Sequence, residues 1–320
     1  MPRSAIFLSP GADLAAAVDL ARRADAAGYE SVWVTHGVGR DGLQVLSAYA
    51  HAAPRVGLGT GVLPIYPRHP VLLAQEALTL QEASGGRLRL GIGVSHRPVM
   101  EGALGLKMGK PLEVAREYVA VLRQALTGRV QHTGPCYQVT WQSGVPRLPA
   151  PPPIYLAGLG TAMLELAGEI ADGAVLWLCA PAYVREHALP AIRRGLERAG
   201  KPLDGFEIVV SVPAAVTTDF AGAREIFKIE LARYLVLPFY RAMLEKSGFA
   251  PEVAAWDRTR DPATVADRLL DALGAVGDAP ALGRLVASYR QAGVTLPAIR
   301  PMGFPDAPHY LPTLEVGPAF

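Results

Sequence analysis

At 320 residues and 33.9 kDa, with 31 basic and 29 acidic side chains giving a net charge of +2, the chain fits one large α/β barrel or two ordinary domains. Scattered, nearly balanced charge leaves no electrostatic footprint for nucleic acid, and no apolar run reaches membrane length. With 50% hydrophobic and 19% charged residues the composition excludes a disordered chain, and a mean hydropathy of +0.21 points to apolar surface covered in a homodimer or larger oligomer.

The first elements alternate. A short apolar run over 5–9 ends at Pro10-Gly11, and Asp13 then precedes an alanine-rich helical pattern closed by Gly28. The same unit recurs with strands over 31–35, 56–63 and 88–94 and helices over 43–53 and 71–84. Pro111 opens a helix that runs to Leu126, a position where its missing N–H costs nothing. Residues 128–150 break the rhythm with a short β excursion over 130–141 and a proline cluster, and are read as an insertion after the fourth helix. Strands resume over 154–157, 174–178, 206–212 and 294–300, separated by helical patterns over 161–171, 182–199, 219–247, 262–273 and 281–292. Eight strands alternating with helices predict a (β/α)8 TIM barrel in one domain spanning residues 1–320, with an open doubly wound sheet as the structural competitor. Cys136 and Cys179 lack disulfide or zinc spacing and are read as buried small hydrophobes; with the strand-like start after Met1, they fit a cytoplasmic protein.

In a parallel barrel, ligand contacts come from strand C-termini and the loops that follow. Here those points are Thr35-His36, Thr60-Gly61-Val62, Val94-Ser95-His96, Ala157-Gly158, Leu178 and Val212-Pro213. Gly158-Leu159-Gly160-Thr161 joins a strand end to a helix start, where free amides and the helix dipole favour a phosphate; a plain βα turn would also account for it. Glycines 57, 59 and 61 weaken the third strand unless something approaches its backbone closely, and either a flat ring or tight barrel packing meets that need. Trp33 and Trp177 lie within strands and are read as packing residues. The loop residues Tyr66, Arg68 and His69, stiffened by three prolines, and the pair His96 and Arg97 are candidate cofactor or substrate contacts that structural roles would explain equally well. Strand ends supply no HxH pair or carboxylate cluster, so no metal is expected.

The segments GLGTGVLPIYPRHP, QEALTLQEASGGRL and GIGVSH between Gly57 and His96 resemble the luciferase-like monooxygenase superfamily, above all its branch using coenzyme F420. The resemblance continues through LGLKMGKPLEVAREYVAVLRQAL and PPPIYLAGLGTAMLELAGEIADGAVL and is weakest over 214–280. It implies a tricyclic ring at the barrel mouth bordered by Thr60, Gly61, Val62, Val94 and Ser95, with phosphate held by Gly158, Leu159, Gly160 and Thr161. It also implies a non-prolyl cis peptide at Gly61-Val62. Many deazaflavin relatives carry Asp-His after the second strand; Thr35 stands where that aspartate would be, so His36, with Ser95, is a catalytic candidate without its usual neighbour. The expected activity is hydride transfer between F420 and a small organic substrate, with an FMN-dependent monooxygenase and a non-catalytic flavin-binding barrel as alternatives.

Overall fold

Short runs such as Ala-Ile-Phe-Leu at 5–8 are buried on both faces, which suits parallel strands covered by helices. The computed structural model of the protein describes residues 3–36 and 39–320. Its eight barrel strands are β1 (Ala5–Leu8), β2 (Ser31–Val34), β3 (Gly57–Thr60), β4 (Leu88–Gly93), β5 (Ile154–Ala157), β6 (Gly173–Trp177), β7 (Glu207–Val216) and β8 (Leu296–Pro301). All pair in parallel, and the ring closes because β8 pairs with β1 at Ala5↔Ala298 while β6 pairs with β7 at Val175↔Val209. This is the closed (β/α)8 barrel expected from the alternation; the open sheet is excluded.

Successive side chains on each strand point alternately into the barrel and out toward the helices. Phe7, Trp33, Tyr155, Val175, Val209, Leu296 and Ala298 pack together as the interior, while Ile6, Leu8, Val32, Val34, Leu58 and Ile92 join the larger shell under the helices. The glycines of β3 serve this interior. A Cβ at Gly59 would collide with the Trp33 indole, and one at Gly61 with the Phe7 ring. The flat groups those two glycines admit are therefore the protein's own.

Several expectations about element boundaries are corrected. The strand expected over 56–63 stops at Thr60 and restarts as Leu63–Pro64 beside β4, with a cis peptide at Gly61-Val62 between the two. β7 runs past the expected turn at Val212-Pro213 to Val216, because Ala275–Gly277 returns from far along the chain to pair with its last residues. The helix expected over 182–199 runs from Pro181 to Arg198 with a wider, π-helical turn at Val184–Ala188. The insertion is an antiparallel hairpin, Arg129–Thr133 with Gln138–Gln142, separate from the barrel sheet. Glu117 on the helix Pro111–Leu126 anchors it, accepting from the amides of Cys136 at 2.7 Å and Tyr137 at 3.1 Å and pairing with His132 at 2.8 Å. Cys136 consequently sits exposed at the hairpin turn, contrary to its reading as a buried hydrophobe; Cys179 is buried, and burial pushes its thiol up to about 12.

The N-terminal end of the barrel is closed by charge. Arg89 reaches Glu30 and lies 3.4 Å from Glu207, Arg3 joins the same two carboxylates at 2.6 and 2.9 Å, and the Tyr155 hydroxyl donates to Glu207 at 2.9 Å. Among the described residues, no helix is long and apolar enough to cross a membrane.

Candidate functional site

At the opposite end the interior register leads to a floor with two unlike halves. On the β3–β5 side, Val62 and Ala157 cover the interior cluster yet stay partly exposed, and a Cβ at Gly93 would come within 3.0 Å of Val62 and 3.1 Å of Ala157. That half is small and apolar. On the β6–β8 side, Trp177 follows Val175 and Arg300 follows Ala298 in the inward register. The Arg300 guanidinium stands 4.8 Å from the Trp177 ring centroid, and its Nη1 lies 2.6 Å from Glu230 Oε1. Tyr234 meets Trp177 edge-on at 5.8 Å, Tyr240 meets Tyr234 at 4.8 Å, and His96 meets Tyr240 at 5.8 Å.

The turn after β5 forms the edge of the small half. Gly160 caps the helix Thr161–Ile170 with its carbonyl alone, accepting from the amides of Met163 at 3.0 Å and Leu164 at 3.1 Å. No side chain caps this helix, so its first amides remain available to an anion. Gly158, Leu159, Gly160 and Thr161 are all half-buried, and Tyr183 fixes the turn by donating to the Leu159 carbonyl at 2.7 Å. A small apolar floor beside uncapped amides fits a flat ring system with a phosphate tail.

The other candidates divide by the direction they face. Gly61 and Val62 lie at the floor, and Ser95 ends β4 in the left-handed region with φ 58°. Leu178, just past β6, does the same with φ 51°, so two non-glycine residues hold sparsely populated backbone at this rim. Thr60 and Val94 fall in the outward register. The Thr60 hydroxyl is fully buried, donating to the Gly91 carbonyl at 2.7 Å and accepting from its amide at 2.8 Å, and Val94 packs on the outer shell. Both support the wall, with their side chains turned away from the floor.

His36 is held by the start of the next helix. Its Nδ1 accepts from the Gly42 amide at 3.1 Å, which places the ring proton on Nε2 and leaves that N–H as a donor. Burial holds its pKa below the usual histidine value, Arg68 adds to the depression, and Asp41 opposes it from 3.8 Å. Asp41 is the carboxylate beside His36, at 3.8 Å and without a hydrogen bond to it, and no spacing rule singles it out. It also caps the helix Gly42–Ala52 through the amides of Leu43 at 2.9 Å and Gln44 at 3.1 Å, and it pairs with Arg68. Arg68, His69 and Tyr66 have structural partners: Asp41 and Glu76, the Val71 amide, and the Met108 carbonyl. Arg97 pairs with Glu101. Trp177, which the sequence suggests as a packing residue, and Arg300, which no motif singles out, share the inward alternation of β6 and β8; Tyr234 and Tyr240 belong to an aromatic run over 234–260 that the sequence offers equally as a pocket roof or an interface, and the position of Glu230 only folding decides.

Comparison with known proteins agrees with this fold. The sequence profile of a family described as luciferase-like monooxygenase matches residues 1–296. A Mycobacterium tuberculosis protein provisionally named a coenzyme F420-dependent oxidoreductase is 30% identical over 311 residues, covering 87% of this chain and 88% of the relative. The 5,10-methylenetetrahydromethanopterin reductase of Archaeoglobus fulgidus is 32% identical over 231 residues, covering 72% and 68%. The structure of the coenzyme F420-dependent tetrahydromethanopterin reductase of Methanopyrus kandleri superposes with a TM-score of 0.81 at 22% identity, over 98% of this chain and 96% of the other. A closed barrel, a split third strand and an uncapped helix after the fifth strand thus coincide with a match along nearly the whole sequence, and the chain belongs to the luciferase-like monooxygenase family.

Proposed function

We infer that this protein is an F420-dependent oxidoreductase that exchanges hydride with a small organic substrate at the barrel mouth. The observation that carries this reading is the pairing of a small apolar floor at Val62, Gly93 and Ala157 with the uncapped helix start at Thr161. The name of the Mycobacterium tuberculosis relative favours F420 over other flavins. When bound, the deazaflavin supplies a carbon that accepts or donates hydride. The chain's own part is to seat the ring on Val62 and Ala157, hold phosphate at the amides following Gly160, and shield the reacting face from water. His36 would present its Nε2–H as hydrogen-bond or proton donor, and Ser95 would offer its hydroxyl from the rim of β4.

The monooxygenase description of the family supports a second reading in which FMN fills the same site. Titrating the purified chain with F420 and with FMN, followed by cofactor fluorescence, separates the two. Tight binding of F420 alone is expected; tight binding of FMN alone sinks the first reading. Binding without any bleaching of the ring by reductant or substrate would establish the non-catalytic barrel. A homo-oligomer remains our reading of the apolar surface, supported by Leu72, which is 55% exposed beside the half-buried Trp141.

A further inference from the structure

Arg300 and Glu230 meet at the mouth from distant parts of the chain. Arg300 faces inward from β8, and Glu230 is brought in by the helix Phe220–Leu235. Their side chains are only 24% and 15% exposed, and Glu230 Oε1 lies 2.6 Å from Arg300 Nη1 as an ion pair without hydrogen-bond geometry. Trp177 lies against the guanidinium, Tyr234 and Tyr240 continue the aromatic wall, and His96 closes it. Burial depresses the pKa of His96, so that ring is neutral near pH 7. Glu230 thus offsets the charge of Arg300, and the rings that line the pair are uncharged.

We propose that Glu230 silences the charge of Arg300, so that the mouth selects an uncharged substrate bearing a carbonyl or hydroxyl oxygen and discriminates against carboxylates. This rests on the mouth being the substrate site. A carboxylate at the guanidinium would either displace Glu230 or sit beside it, and both arrangements put a second anion in an enclosed space that holds one neutralising cation. A neutral oxygen demands no such exchange. A guanidinium offers five N–H donors in a planar fork, and Glu230 faces one edge of it. The rings of Trp177, Tyr234 and Tyr240 would receive the apolar body of the substrate. Arg300 and Glu230 are then specificity-determining residues, and a purely structural ion pair makes different predictions.

Acetophenone and benzoate form a suitable probe pair, nearly equal in shape and differing in a methyl group against a charged oxygen. Calorimetric titration of the full chain, with and without F420, should show acetophenone binding about tenfold or more tighter than benzoate. Glu230→Gln should raise benzoate affinity about tenfold with little change for acetophenone, and Arg300→Gln should move the ratio the opposite way. A structural pair would shift both ligands together. Benzoate binding as tightly as acetophenone to the unaltered chain, no detectable acetophenone binding, or a ratio insensitive to both substitutions would each overturn the proposal. The comparison in the unaltered chain stands even if one variant fails to fold, which its thermal unfolding would reveal. A chain that binds F420 yet fails these tests refutes the selectivity alone; one that passes them without binding F420 refutes the cofactor reading alone.

Discussion

The two ends of the barrel handle polar groups in opposite ways. At the N-terminal end Arg3, Arg89, Glu30 and Glu207 meet one another directly and Tyr155 adds a hydrogen bond, so each charge has an opposite partner. At the mouth the buried Trp177 Nε1 and Ser211 Oγ lack partners among the described residues, and Ser95 and Leu178 hold left-handed backbone. Paired charges stabilise a closed end, where the one carboxylate oxygen without a hydrogen bond among the described residues, Glu30 Oε2, belongs to a group with two cations beside it. Unsatisfied donors and unusual backbone persist where a ligand is expected to complete the arrangement. The same strands serve both ends, which teaches that stability and binding are separated along each strand by only a few residues.

Substitutions at the two ends should therefore have separable effects. Arg89→Leu removes the more buried of the two cations shared by Glu30 and Glu207, leaving them only the half-exposed Arg3, and should cost about 3 kcal/mol in denaturant unfolding, while F420 affinity changes little. A comparable loss of affinity would break the separation. Ala157→Leu raises a side chain from the floor and should weaken F420 binding about a hundredfold, or roughly 2.7 kcal/mol, with unfolding shifted by less than about 0.5 kcal/mol. Unchanged affinity would mean that the ring does not sit there.

Smaller effects sharpen the contrast. Asp41→Ala removes the cap over Leu43 and Gln44 and should lower stability by about 1 kcal/mol, seen as a reduced urea midpoint. The pH dependence has a definite sign. The folded pKa values of His36 and His96 lie below the unfolded histidine value, so the unfolded chain binds more protons between the two. Their contribution is neutral above the unfolded value of about 6.5, and stability falls as the pH drops below it toward the folded values. The urea midpoint should thus fall between pH 7 and pH 5, and less so in a variant carrying His36→Gln and His96→Gln. An equal fall in both proteins would show that neither imidazole is held neutral.

What the sequence by itself determined is local and periodic. Short apolar runs separated by helical spacing are enough for the eight strands and their parallel order, because a buried strand must be apolar on both faces and a right-handed crossover leaves one place for each helix. The turn from Gly158 to Thr161 was legible for the same reason, since glycines beside a helix start carry their meaning in adjacent residues. Only the tertiary structure decided what those signals serve. It gave Gly59 and Gly61 to Trp33 and Phe7, turned Thr60 and Val94 outward, and set Asp41 beside His36. It also joined Arg300 to Glu230 across 70 residues of chain. Contacts between segments far apart in sequence depend on how strands register and where an irregular helical excursion returns, and no local pattern encodes either.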